Sequence, residues 1–238
     1  MLGDPMDEER RTRLIKLGSA VAFLAIAAIL VAIVISQSQS EGGDASDVED
    51  AALVNGQLRG IPQDGMVLGD PEAKGTLVEF GDLQCPACKQ YAEQVIPELI
   101  AGPVRRGEAK LDFRNYVILG PQSSLAGAAA VAAGRQGRGW NFVEIFYRNQ
   151  GFENSGYVTD DFLNAVARAA EVPDIGQWNA DRNSESIRRV VSRTTNQASN
   201  LGFTGTPSFA VQGLGGALDP IGTPASAGEI ESALDPAG

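Results

Sequence analysis

Along most of the chain apolar residues recur at strand or helix spacing, but one run is too long and too uniform for either. Residues 17–36 are almost entirely apolar, and no charge falls between Lys16 and Glu41, a gap of 24 residues. A helix over that gap reaches roughly 36 Å at about 1.5 Å per residue, enough for a hydrocarbon core of about 30 Å. Residues 17–36 are therefore expected to form a transmembrane helix, preceded by a short polar segment, 1–16. The run exceeds a usual signal-peptide core, and Gln37-Ser38-Gln39-Ser40 offers no clear small-x-small cleavage site, so an uncleaved anchor is expected over a cleaved leader. Residues 37–60, rich in Ser, Gly, Asp and Gln, read as a flexible linker.

From Ile61 the pattern is that of a folded domain, 61–238. Residues 66–69 predict a short edge strand and 76–80 a stronger one, rich in β-formers. Tyr91, Val95, Ile96 and Leu99 lie at helical spacing within 89–100, Gly102-Pro103 stops that helix, and a second β-rich run covers 109–119. Strand, helix, strand at this spacing predicts a βαβ unit. The middle, about 121–201, is helical. Residues 123–133 are alanine-rich, and Trp140, Val143, Phe146 and Tyr147 form a stripe that reads as core packing rather than a peptide-binding surface. Thr159 caps a helix carrying Phe162, Leu163, Val166 and Ala170, and another helix runs from Ser184 to a stop at Gly202. Residues 172–180 are weakly patterned, a short helix or a loop. Strand character returns at 208–211 and 218–221, and a closing helix spans 226–234. The fold class is α/β.

Charge sets orientation and narrows the partners. Arg10, Arg11, Arg13 and Lys16 precede the apolar run, whereas Glu41, Asp44, Asp47, Glu49 and Asp50 follow it with no basic residue before Arg59. The positive-inside rule puts the N-terminus in the cytoplasm and the domain outside, a single-pass cell-membrane protein with an extracytoplasmic domain. With 30 acidic against 19 basic residues and a net charge of −11, nucleic acid and anionic surfaces are poor partners. There is no histidine, which removes the usual general base, the commonest metal ligand and any Cys–His pair.

The only two cysteines form Cys85-Pro86-Ala87-Cys88, between a predicted strand and a predicted helix. A zinc site needs four ligands, which two cysteines without histidine do not supply, so no metal is expected. A staple closing so short a loop would constrain the unfolded chain little. A redox pair needs one sulfur at the helix N-terminus and a second within reach to resolve a mixed disulfide. Cys85 then serves as the attacking thiolate and Cys88, one turn in, as the resolving thiol, with Pro86 suited to the helix start. Glu79 lies six residues before Cys85 among apolar neighbours. It either faces solvent at an edge or points beneath the cysteines, where burial would raise its pKa and let it exchange a proton with Cys88.

The strand and helix around Cys85-Pro86-Ala87-Cys88, the helical middle and the run Gly205-Thr206-Pro207-Ser208-Phe209 together resemble the membrane-anchored DsbA-like thiol:disulfide oxidoreductases, over about residues 61–235. The resemblance implies a thioredoxin fold with an inserted helical domain and no cofactor. It implies a cis Thr206–Pro207 bond facing the Cys85 sulfur, with Thr206 pairing to an extended substrate strand, and it matches Glu79 to the family's buried acid. One position departs: strongly oxidising members carry histidine where this chain has Ala87, so the thiolate loses a partner and the couple is expected to be less oxidising. The expected function is disulfide formation or exchange in unfolded or exported proteins, with reoxidation by a quinone-linked membrane partner. A reductase or isomerase, or a non-catalytic chaperone or binding protein using the groove at Pro207, are the alternatives.

Overall fold

A computed structural model describes residues 43–234 apart from Leu214 and Ala225. The segment 1–16 and the span expected at 17–36 lie outside the described residues. Among the described residues no helix is long and apolar enough to cross a membrane.

The first described elements correct the expectation of a flexible linker over 37–60. A 3-10 turn, Ala45–Asp47, is capped by the Asp44 side chain, and helix α1 follows at Ala51–Leu58. Val54 and Leu58, four apart and so on one face, are buried with Val48. Side-chain bonds anchor the segment: the Asn149 carbonyl oxygen accepts from Glu49 N–H at 2.7 Å, and Asn55 donates to the Ala169 carbonyl at 2.9 Å. A few well-spaced apolar residues outweigh a polar average, so the described part of this stretch, from Gly43, is folded onto the domain rather than a free tether.

The sheet has strands β1 (Gln63–Asp64), β2 (Val67–Leu68), β3 (Gly75–Gly81), β4 (Ala109–Asn115), β5 (Ser208–Gln212) and β6 (Leu218–Ile221), in the order β1-β2-β4-β3-β5-β6. β3 and β4 are parallel and joined by a crossover, while β5 returns antiparallel on the other side of β3. β3 is thus a central strand, buried at all seven residues. Its alternate positions serve two layers. Val78 and Phe80 pack with Tyr116, Ala198 and Ala210 on one face, and Leu77 joins the larger core on the other.

The crossover is broken where a single helix is expected. Helix α2 (Pro86–Gln94) ends at Val95, which has φ −112°, and α3 (Ile96–Leu99) restarts there before a wide turn, Ile100–Val104. Pro97 has no N–H to donate into the preceding turn, which accounts for the break.

Five helices fill the interval between β4 and β5: α4 (Pro121–Gly134), α5 (Gly139–Arg148), α6 (Asp160–Ala169), α7 (Ile175–Arg182) and α8 (Glu185–Asn200). The weakly patterned stretch resolves as α7, whose start Asp174 caps by accepting from Gln177 N–H at 2.8 Å. The aromatic stripe of α5 is core, with Trp140, Val143, Phe146 and Tyr147 all buried. The final helix, α9, spans Ala227–Leu234.

Candidate active site

β3 runs into the site through a glycine that must be a glycine. A Cβ on Gly81 would lie 2.6 Å from the Phe113 ring and 3.0 Å from the Tyr147 hydroxyl, so both aromatics close over the strand end. The next residue, Asp82, is buried and its carboxylate accepts three backbone N–H groups, from Gln84 at 2.9 Å, Ile118 at 2.9 Å and Leu119 at 3.0 Å. It ties the loop after β3 to the loop after β4. Its backbone carbonyl accepts from Cys85 N–H at 2.9 Å and from the Tyr147 hydroxyl at 3.3 Å.

Two amides then hold the turn before α2. Gln84, fully buried, donates to Ser123 Oγ at 2.9 Å and accepts from Asn154 N–H at 3.0 Å. Gln150 donates to the carbonyls of Leu83 at 2.7 Å and Cys85 at 3.1 Å. A redox turn fixed at its carbonyls from the helical insertion presents its sulfurs in one geometry.

Cys85 is the N-cap of α2 in extended backbone, and Pro86 occupies the first turn, where a missing N–H is no loss. Pro86 and Ala87 are exposed, and both cysteines are buried free thiols. The Cys85 thiol donates to the Thr206 carbonyl at 3.3 Å, and the Thr206–Pro207 bond is cis. Ser208 Oγ, donating to the Gly205 carbonyl at 2.7 Å, closes the same turn. Cys85 and Thr206, 121 positions apart in sequence, thus meet at one sulfur.

The two sulfurs are unequal. A hydrogen bond from the Cys88 thiol, with Thr206 and the backbone N–H groups of Cys88 and Ala87 adding to it, lowers Cys85 to about 6 against the opposing effect of burial. Burial, first, and the Cys85 hydrogen bond push Cys88 well above the ordinary thiol range. The helix N-terminus thus favours a thiolate on the outer sulfur, and burial keeps the inner one a thiol.

Glu79 is interior, not at an edge. Its cross-strand neighbours are Phe113 on β4 and Phe209 on β5, and its side chain is 3% exposed with Oε1 unpaired among the described residues. Burial, the negative charge of Glu144 and the Cys85 sulfur raise it to about 8. The strand places this carboxyl in electrostatic contact with Cys88, whose proton is held more tightly because of it.

A protein-family model described as thioredoxin matches residues 62–219. The chain belongs to the thioredoxin family. Among curated relatives of this thioredoxin-family chain, a probable disulfide bond formation protein D from Bacillus cereus is 33% identical over 61% of the chain and 69% of the relative. A thioredoxin-like oxidoreductase from Silicibacter pomeroyi superposes with TM-score 0.56 at 29% identity, covering 79% of this chain and 95% of that one. Oxidised BdbD from Bacillus subtilis superposes with TM-score 0.62 at 24% identity, over 74% and 95%, a likeness of fold. The DsbA-like thioredoxin fold with its helical insertion is the architecture of this family chain, and its chemistry is thiol:disulfide exchange.

The structure gathers Glu79, Cys85, Cys88, Thr206 and Pro207 at one end of β3. It adds Asp82, Gln84, Gln150 and Asn154, which hold the turn, and Glu144 and Tyr147, which reach it from α5. Asp82 stands as an acid just after the predicted strand and Tyr147 belongs to the aromatic stripe read as core, but the other four carry no local signal.

Proposed function

We propose that this thiol:disulfide oxidoreductase works as an extracytoplasmic oxidase of moderate strength, delivering disulfides to unfolded or exported proteins. The observation that carries the reading is the contrast between the two sulfurs, one stabilised as thiolate near pH 6 and the other held as thiol. A client thiolate attacks Cys85, the Cys85–Cys88 bond breaks, and Cys88 leaves with the electron pair and takes a proton from Glu79. A second client thiolate then attacks the client sulfur of the mixed disulfide and releases Cys85 as thiolate. The client is oxidised by two electrons and the pair reduced by two. Thr206, beside the Cys85 sulfur, offers its backbone to an extended client strand in this reading.

The strength follows from the same sulfur. Ala87 supplies no imidazolium, but its backbone N–H contributes, and the outer thiol at about 6 lies between the values of about 7 for thioredoxin and about 3.5 for DsbA. Because stabilising the thiolate stabilises the reduced form, the reduction potential is expected between about −270 and about −120 mV. Equilibration with glutathione buffers measures it; a value at or below that of thioredoxin would assign the chain to reduction instead.

Membrane attachment through residues 17–36 and reoxidation by a quinone-linked membrane partner belong to the same reading. The charge-free run, the basic residues before it and the acidic ones after it support the attachment and its orientation. Protease added to intact spheroplasts is expected to remove the domain, and full protection refutes that orientation.

A further inference from the structure

Glu144 belongs to no expectation from the sequence, yet it lies 3% exposed in the layer that covers Glu79. On α5, Trp140, Glu144 and Tyr147 are spaced i, i+4, i+7 and share one face. The two aromatics bracket a single ring: Phe113 lies 6.5 Å from Trp140 and 6.2 Å from Tyr147, edge-on to both. Phe113 is the residue paired directly with Glu79 across β3 and β4. Glu144, between the two rings on the helix, is therefore aimed at the strand position that carries Glu79, and its charge is felt there.

We propose that Glu144 is a positioning residue, a second buried carboxyl whose protonation is coupled to that of Glu79 and so sets how readily Glu79 exchanges a proton with Cys88. The inference rests on the reading of Glu79 as the proton partner of Cys88. Two carboxylates cannot both ionise cheaply in one dry site, so the pair retains a proton where isolated carboxyls would have lost theirs. When Cys88 leaves the broken disulfide it takes the proton from Glu79, and the resulting carboxylate sits beside a protonated Glu144 rather than a second charge. Burial raises the Glu144 carboxyl to about 8; Arg148 on its own helix opposes the rise, and Glu93 on α2, paired with Lys89 at 3.7 Å, adds to it.

Glu79, Glu93 and Arg148 are the charged groups felt at Glu144, and Cys85, Cys88, Tyr91, Asp82 and Tyr147 complete the titratable groups around Glu79 and Tyr147. Arg148 is held at 3.4 Å by Asp50. Helices α1 and α4 and strand β2, which also pack on α5, contain no ionisable side chain. On α6, Asp160 turns to Arg182 at 2.8 Å, and Asp161 and Arg168 are exposed.

Titration of the full chain carrying carboxyl-13C glutamate, followed by NMR, tests the coupling without turnover. Glu144→Gln is expected to move the Glu79 midpoint down by about one pH unit, a tenfold loss of proton affinity, and Glu144→Asp to retain most of the elevation. Coupling is reciprocal, so Glu79→Gln lowers the Glu144 midpoint equally, which decides the matter even where Glu144→Gln does not fold. An unmoved midpoint in either arm overturns the proposal. The second readout is the rate at which a small thiol opens the Cys85–Cys88 disulfide, corrected for thiolate fraction. Its alkaline limb is expected to shift with the Glu79 midpoint in Glu144→Gln, and a uniform drop at every pH overturns the role. Failure of the titration leaves thiol exchange at Cys85 intact, whereas wild-type chain inert toward thiols would defeat the functional reading with the coupling still measurable.

Discussion

Cys85→Ser is expected to bring disulfide transfer to a reduced peptide down to the uncatalysed level, and Cys88→Ser to stall the protein as a mixed disulfide with its client. The two outcomes differ because the sulfurs do. Cys85 sits at the start of α2 with its sulfur 3.3 Å from the Thr206 carbonyl, and it is the sulfur held near pH 6. Serine cannot form the covalent intermediate at all, so no residual exchange remains. Cys88 is fully buried and its thiol is held protonated by burial. Without it the Cys85–client bond still forms from a client disulfide, but nothing inside the protein attacks that bond, and its lifetime then depends on outside thiols. Non-reducing gels after acid quenching show the adduct. Equal peptide oxidation by wild type and Cys85→Ser would remove the enzyme and leave a thioredoxin-fold binding protein, and adducts forming on Cys88 in place of Cys85 would reverse the roles.

The chemistry of this site is legible in sequence because it is local: two cysteines, a proline that suits a first helical turn, and a β-rich run before them all lie within residues 76–88. What orients the chemistry is not local. A five-residue β-run reads alike at an edge or in the centre of a sheet, and Glu79 is interior only because β5 arrives from near the end of the chain to pair on its open side. Gln150 and Gln84 look like ordinary loop amides. Their partners are the carbonyl of Cys85 and the backbone of Asn154, 65 and 70 residues away, and no spacing rule foretells such bonds. The misread stretch before Ile61 failed for the opposite reason. Its polar majority is real, but Val48, Val54 and Leu58 find buried places, Asn141 on α5 donates to the Asn55 side chain, and Asn149, the residue after α5, holds the Glu49 backbone.

Glu79→Gln is expected to stabilise the protein increasingly as pH rises, which is the reverse of what removing a paired surface carboxylate does. In the unfolded chain Glu79 loses its proton near 4.5, and in the folded one near 8. The folded state therefore binds one more proton between those values. A raised group contributes stability that is complete below the lower value and is lost as pH climbs through the higher one. Wild type should lose up to about 1.4 kcal/mol per pH unit from this residue over that window, and glutamine, which does not titrate, removes the slope. Urea midpoints of the two proteins in the same redox state, read at several pH values between 5 and 7.5, give the difference directly. A constant gap across the window would mean that Glu79 is ionised inside the fold and has no proton for Cys88. A gap that widens at that slope ties the cost to the function. The Glu79 carboxyl oxygen without a partner among the described residues adds to the cost of burying the group, and in the proposed reading the proton held there is the one Cys88 takes.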